Sequence, residues 1–157
     1  MLLIGRNGEN NKALRVDGFG FQPLWSPNSS GLIFSAAGQA DNYEPTLWFT
    51  AAKGDAIGAD RTNLGIHTWA DMCTFADAQT VYCAVPDNLP EGAGLQRDVA
   101  NGLPDSIVKV DLLSGSVSNV GRPETNTAIK DLVVSGDGSK LYFTDAQSGA
   151  LRQMQLK

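Results

Sequence analysis

"LWSPNSSGLIF", residues 24–34, sets a tryptophan, a Ser-Pro step and a small polar turn between two apolar runs. Proline presets the backbone for a turn, and Asn and Ser bond their own main chain there. The stretch reads as a β-hairpin. What decides the fold is that it recurs. "LWSPNSSGLIFSA" (24–36) aligns with "CTFADAQTVYCAV" (73–85) at an offset of 49 residues, and with "VVSGDGSKLYFTD" (133–145) at an offset of 109. Each copy is an apolar strand, a turn and a second apolar strand. The turns are 27–30, 76–79 and 136–139.

The segment after each hairpin repeats as well. "PTLWFTAA" (45–52), "SIVKVDLLSG" (106–115) and "GALRQMQLK" (149–157) read as third strands, and "RTNLGI" (61–66) and "SVSNVGRP" (116–123) as fourth strands. "LLIGRN", a "GENN" turn and "KALRVD" (2–17) read as a further third and fourth strand. The count is thirteen strands, grouped two, four, four and three. Four-stranded antiparallel units at such spacing indicate an all-β, propeller-type fold. The expected single domain spans 1–157, with a blade remnant at 1–19 and repeats at about 20–66, 67–123 and 124–157. The register predicts Leu24 opposite Phe34, Cys73 opposite Cys83 and Val133 opposite Phe143. Both faces of these strands are largely apolar, as expected of sheets stacked face to face rather than of a sheet with one wet side.

"PLWSPNSSGLIFSA" resembles the P-x-W-S-P-D-G-x-x-I-x-F repeat of TolB-like propellers. "DLVVSGDGSKLYFTDAQSGALRQMQL" resembles the same repeat or its YVTN and WD-type relatives, with Val134 for Trp and Gly136 for Pro. The middle copy departs furthest, with Thr74-Phe75-Ala76 for Trp-Ser-Pro. The resemblance covers about residues 20–157. It implies a propeller used as a binding platform, as in the bacterial envelope, or as an accessory domain of a peptidase. The motif residues are structural, so it carries over no catalytic residue.

Bulk composition narrows the function. The chain has 157 residues, 42% apolar and 18% charged, which is globular. A net charge of −5, without a Lys/Arg cluster, argues against nucleic acid. No apolar stretch approaches the roughly 18 residues of a membrane span, so no membrane insertion is expected. "MLLIGRNGENN" is too short in its apolar run for a signal peptide, so the chain as written is expected to be soluble and unexported. Closed propellers usually have about four to eight blades. Thirteen strands fall short of that. Three explanations stand: a piece of a longer propeller, self-association in which chains complete each other's rings, or structure hidden in the long loop 86–104.

That loop, "PDNLPEGAGLQRDVANGLP", joins the second and third strands of the middle repeat. Loops so long are either recognition elements or solvated insertions. "AGQADNYEP" (37–45) occupies the equivalent place in the first repeat, so the two should share a face. The candidate binding residues there are Tyr43, Glu44, Trp48, Asp87, Asn88, Glu91, Arg97 and Asp98. The expected ligand is a protein, peptide or glycan. Homo-oligomer formation is the other expected association.

Cys73 and Cys83 are opposed, and so are placed either for a disulfide or as two buried thiols. A disulfide implies an oxidising, extracytoplasmic compartment, and thiols a cytoplasmic one. Two Cys and a single His67 are too few for a metal site. His67, Asp71 and Cys73 do not make a hydrolase centre: Asp71 and Cys73 share a strand face, but Cys73 points into blade packing, where thiols are inert, and His67, at the entry to that strand, is expected to make a loop hydrogen bond. "SGDGS" (135–139) lacks the distal Glu of a calcium loop and reads as a turn. Phosphate-binding Gly motifs and Gly-x-Ser-x-Gly are missing. No cofactor is expected, and the chain reads as non-enzymatic. Trp25 and Trp69 read as core. Trp48 is the tryptophan expected on the binding surface.

Overall fold

The computed structural model describes residues 1, 8 and 12–156. Among the described residues there are eleven strands in three antiparallel sheets. The first sheet is β1 (Phe19–Trp25), β2 (Gly31–Ala37), β3 (Pro45–Ala51) and β4 (Thr62–His67), in that spatial order. The second is β5 (Cys73–Phe75), β6 (Thr80–Pro86), β7 (Asp105–Asp111) and β8 (Ser116–Gly121). The third is β9 (Ile129–Val134), β10 (Lys140–Asp145) and β11 (Leu151–Gln155). Three successive meanders, packed face to face, form a run of propeller blades that does not close. No helix among the described residues is long and apolar enough to cross a membrane.

The repeated turn has a common chemistry. In the first hairpin Ser26 N–H donates to the Gly31 carbonyl at 3.0 Å, and Gly31 N–H donates to Ser26 Oγ at 2.9 Å. Asn28 Oδ1 accepts from Ser30 N–H at 3.1 Å and from the Ser26 and Ser30 hydroxyls at 2.8 and 2.7 Å. The third blade repeats this atom for atom. Ser135 N–H meets the Lys140 carbonyl at 2.8 Å and Lys140 N–H meets Ser135 Oγ at 2.9 Å. Asp137 Oδ1 accepts from Ser139 N–H at 3.0 Å and from the Ser135 and Ser139 hydroxyls at 2.6 and 2.8 Å. The pattern is Ser-x-Asn/Asp-x-Ser.

The middle blade has Ala76 where the others have serine, and its turn is one residue shorter. Ala76 N–H donates to the Thr80 carbonyl at 2.9 Å, and Asp77 Oδ1 accepts from the Gln79 and Thr80 amides at 2.8 Å each. This corrects the expected register. Cys73 does face Cys83, but Leu24 faces Ile33, Pro23 faces Phe34, and Val133 faces Tyr142. Spacing taken from the middle turn is one residue out for the longer turns. A one-residue slip exchanges the faces of a strand. Trp25 is therefore opposite Leu32, at the outer face of the first sheet, and 40% exposed rather than core.

β2 is buried along its whole length. Ile33, Leu47, Leu64 and Ile66 pack on Cys73, Val81, Cys83 and Val110 between the first two blades. Tyr82, Ala84 and Ile107 pack on Ile129, Leu132, Leu141 and Phe143 between the second and third. Each fully buried large side chain contributes about 1.5–3 kcal/mol. Buried side chain–backbone bonds tie the junctions: Ala70 N–H to Ser35 Oγ at 3.1 Å, Thr68 Oγ1–H to the Ala84 carbonyl at 2.7 Å, and Ile129 N–H to Asp105 Oδ2 at 2.6 Å.

The expected strand "LLIGRN" and most of the "GENN" turn lie outside the described residues. Residues 12–17, "KALRVD", do not form the expected strand. They cross the outer face of the first sheet as a strap, where Leu14, 1% exposed, packs with Leu32, Phe34, Ala36, Ala52 and Ile57. Covering that face draws the segment across the sheet instead of along an edge. The third sheet has no such cover among the described residues. Val133 and Leu151 on its outward side are 54% and 74% exposed.

Cys73 and Cys83 form a disulfide within the β5–β6 hairpin, with Cα atoms 4.0 Å apart. That closeness is expected of a non-hydrogen-bonded antiparallel pair. Both cysteines are buried.

Candidate functional site

The strands deliver their long connections to one end of the blades. β2, β6 and β10 finish there, and β1, β5 and β9 begin there. The loop 38–44 and the long loop 87–104 meet on this face. Gly92 N–H donates to the Asn42 carbonyl at 2.9 Å and Gly94 N–H to the Tyr43 carbonyl at 2.8 Å. A Cβ on Gly94 would lie 2.3 Å from Ala37 Cβ and 2.7 Å from the Tyr43 carbonyl oxygen, so only glycine fits this junction. The long loop is folded on itself, with Asp87 N–H on the Pro104 carbonyl at 2.9 Å and a 3-10 turn at Arg97–Ala100. It has the form of a compact surface loop packed by its own groups.

The candidate residues divide into three sets. Arg97 reaches inward. Its Nη1 donates to Asp71 Oδ2 at 2.7 Å, and its guanidinium lies 4.8 Å from the Trp69 ring centre. Tyr43 and Trp48 instead border a hollow of about 500 Å3 beside the strap, with Val16, Phe19, Phe34 and Arg61. Trp48 stacks on Phe34 at 6.5 Å, and Tyr43 lies 6.5 Å from Phe19.

The remaining candidates serve the loops themselves. Asp87 is clamped by both Nη atoms of Arg122 and by the Ser106 hydroxyl at 3.2 Å. Glu44 Oε2 is 3.2 Å from His67 Nδ1, close enough to pair yet out of hydrogen-bond alignment. Asn88 takes a left-handed backbone at φ 51°. Asp98 accepts from Asn101 Nδ2 at 3.3 Å. Glu91 is exposed. Asp71 sits in a 3-10 turn, Ala70–Met72, and not on the strand face of Cys73. Among the described residues no three His, Cys, Asp or Glu gather as metal ligands.

At the inner edge of the long loop, between the second and third blades, lies a cavity of about 410 Å3. Trp69, Asp71, Met72, Arg97, Leu103 and Asp105 are among its walls. Asp105 is 2% exposed. Its Oδ2 holds the Ile129 amide, while its Oδ1 is buried without a hydrogen-bond donor. Burial pushes its carboxyl up to about 6; the Ile129 bond opposes that rise and the charge of Asp87 adds to it. Sequence reasoning missed Asp105, whereas Trp69, read as core, is buried and also walls the cavity. An acid leading the apolar alternation "DSIVKVD" (105–111) was the available signal for the first. The pairing of Trp69 with Arg97 had no such signal, because Arg97 comes from the far side of the loop.

No protein-family model matches the chain, and no curated protein matches it. Solved structures do. Hydrazine synthase of Kuenenia stuttgartiensis superposes at TM-score 0.66 and 13% identity, over 99% of this chain and 46% of that one. The tricorn protease superposes at 0.54 and 11% identity, over 96% of this chain and 17% of that one. TolB of Acinetobacter baumannii superposes at 0.53 and 13% identity, over 97% of this chain and 36% of that one. All three are propeller proteins, and the likeness is one of fold. The chain spans less than half the length of each.

Proposed function

We propose that the chain is a non-enzymatic binding module whose ligand face is the end where loops 38–44 and 87–104 join. The observation that carries this is the docking of the long loop onto its neighbour beside a partly apolar cavity. An insertion serving only as a solvated connection has no need of a glycine-only junction and an Arg–Trp–Asp anchor. Concave sites of about 300–1,000 Å3 with a few convergent polar groups are the common form of ligand sites. The expected ligand is a peptide, a protein segment or a glycan. The test is a peptide and glycan panel probed with the intact chain and with a variant in which residues 88–103 are replaced by a two-residue turn. Retained binding to every ligand found would refute the face.

A second reading is favoured by the coverage figures: the chain as an accessory propeller portion within a larger assembly, as in a peptidase. The bare outward side of the third sheet supports it, since a further blade from the same or another copy would cover Val133 and Leu151. Light scattering over a range of concentrations tests the copy-to-copy version, for which a dimer or higher species is expected. The Cys73–Cys83 disulfide supports an oxidising, extracytoplasmic setting.

A further inference from the structure

The cavity between the second and third blades holds a contradiction for a purely structural site. A buried carboxylate oxygen, Asp105 Oδ1, has no donor. Leaving such a group unpaired is unfavourable, and a blade clasp needs only Oδ2. We propose that the cavity seats an alkyl cation, an ammonium or guanidinium on a short methylene chain, with Asp105 Oδ1 accepting its N–H. The inference rests on the binding-face reading and names the chemistry of what that face takes.

Three further observations favour a cation. The rim already holds one: Arg97 of the long loop lies on the Trp69 ring and against Asp71, the aromatic-plus-carboxylate pairing that attracts guanidinium and ammonium groups. The charged side chains lining the cavity are Asp71, Asp105, Asp131, Arg97 and Lys130, and Arg97 is already paired with Asp71. An anion would meet Asp105 and Asp131. Much of the rest of the wall, Asn101 apart, suits methylenes: Met72, Ala100, Leu103, Ala128 and Ile129. A wholly apolar guest would fill the space and still leave Oδ1 without a donor.

The probes are acetyl-Gly-Lys-Gly-amide, its norleucine counterpart and n-butylamine, titrated into the intact chain by calorimetry with the Ile129 amide followed by NMR. The lysine peptide is expected to bind at least about tenfold more tightly than the norleucine peptide and to shift the Ile129 amide. Asp105→Asn should remove that preference. Ala146→Trp, at an exposed lining position, should weaken the lysine peptide by narrowing the cavity while leaving Asp105 in place. Butylamine binding as well as the lysine peptide identifies a free amine as the natural guest; peptide-only binding identifies a lysine or arginine side chain. Equal binding of lysine and norleucine peptides would overturn the cation inference and leave the binding face standing. Unchanged affinity in Asp105→Asn, or no binding by any probe, would also overturn it. The loop-replacement panel decides the face separately.

Discussion

Replacing Asp105 by asparagine should stabilise the free protein at neutral pH. Burial raises this carboxyl from its ordinary 3.8 to about 6. Below pH 3.8 it is protonated in both folded and unfolded chains, and its pH-linked contribution to stability is fully present. Between that value and about 6 the unfolded chain gives up its proton while the folded chain keeps it, so stability falls as pH rises. At about 1.4 kcal/mol per pH unit, the loss across that window is about 3 kcal/mol. Asparagine carries no such loss. Its amide oxygen can still accept from Ile129 N–H, but without charge assistance, which takes back about 1 kcal/mol. A net gain of about 2 kcal/mol at pH 8 is expected. Urea unfolding followed by tryptophan fluorescence, at intervals from pH 4 to 8, measures it. Asp77, Asp111, Asp137 and Asp145 have lowered pKa values and add stability as pH rises through the acid range. They are common to both proteins and cancel in the difference. A difference that does not change between pH 4 and 7, or an asparagine variant less stable at pH 8, would refute the reasoning.

Reducing the Cys73–Cys83 bond, which closes a sequence separation of 10 residues, should cost about 3 kcal/mol. Urea midpoints with and without dithiothreitol test this, and coincident curves would contradict it. Gly94→Val should break the loop junction at a cost of about 1–3 kcal/mol. Trypsin cleavage after Arg97 should then accelerate, and an unchanged rate would show that the loops do not depend on that contact. Ser135→Ala removes the hydroxyl that does most to hold Asp137 down at about 2. The Asp137 carboxyl, followed by NMR, should titrate at a higher pH than in the parent, closer to an ordinary carboxylate.

The hairpins were legible because the serines and Asn28 or Asp137 of their turns are local devices, complete within six residues of chain. The third and fourth strands were legible from their alternation. The register was not, since it depends on whether a turn holds three residues or four, and Ala76 gives no serine to mark the closing pair. Residues 12–17 have a strand-like pattern, yet the apolar side they present to Leu32 and Phe34 serves a strap equally well. The meeting of loops 38–44 and 87–104 followed from topology. Which side chains they bring together did not. Arg97 and Asp71 are 26 residues apart, and Asp105 acquires its burial from β9 of the next blade. Such partners are set by how blades stack, a property that no single repeat contains.

The two ends of the stack are unlike. The first sheet is partly covered by the strap that Leu14 anchors, with Trp25 left exposed on the same side, and among the described residues the third is bare around Val133 and Leu151. A copy added at the third sheet would meet Val133 and Leu151 directly, whereas one added at the first would meet the strap. Two copies joining bare side to bare side would meet about a twofold axis, and each would then present only its strapped end. Head-to-tail addition, the route to a filament or a many-copy ring, would first require the strap to lift. Were copies to assemble in this way, the strap would act as a chain terminator, holding an otherwise repetitive stack of sheets to a finite size.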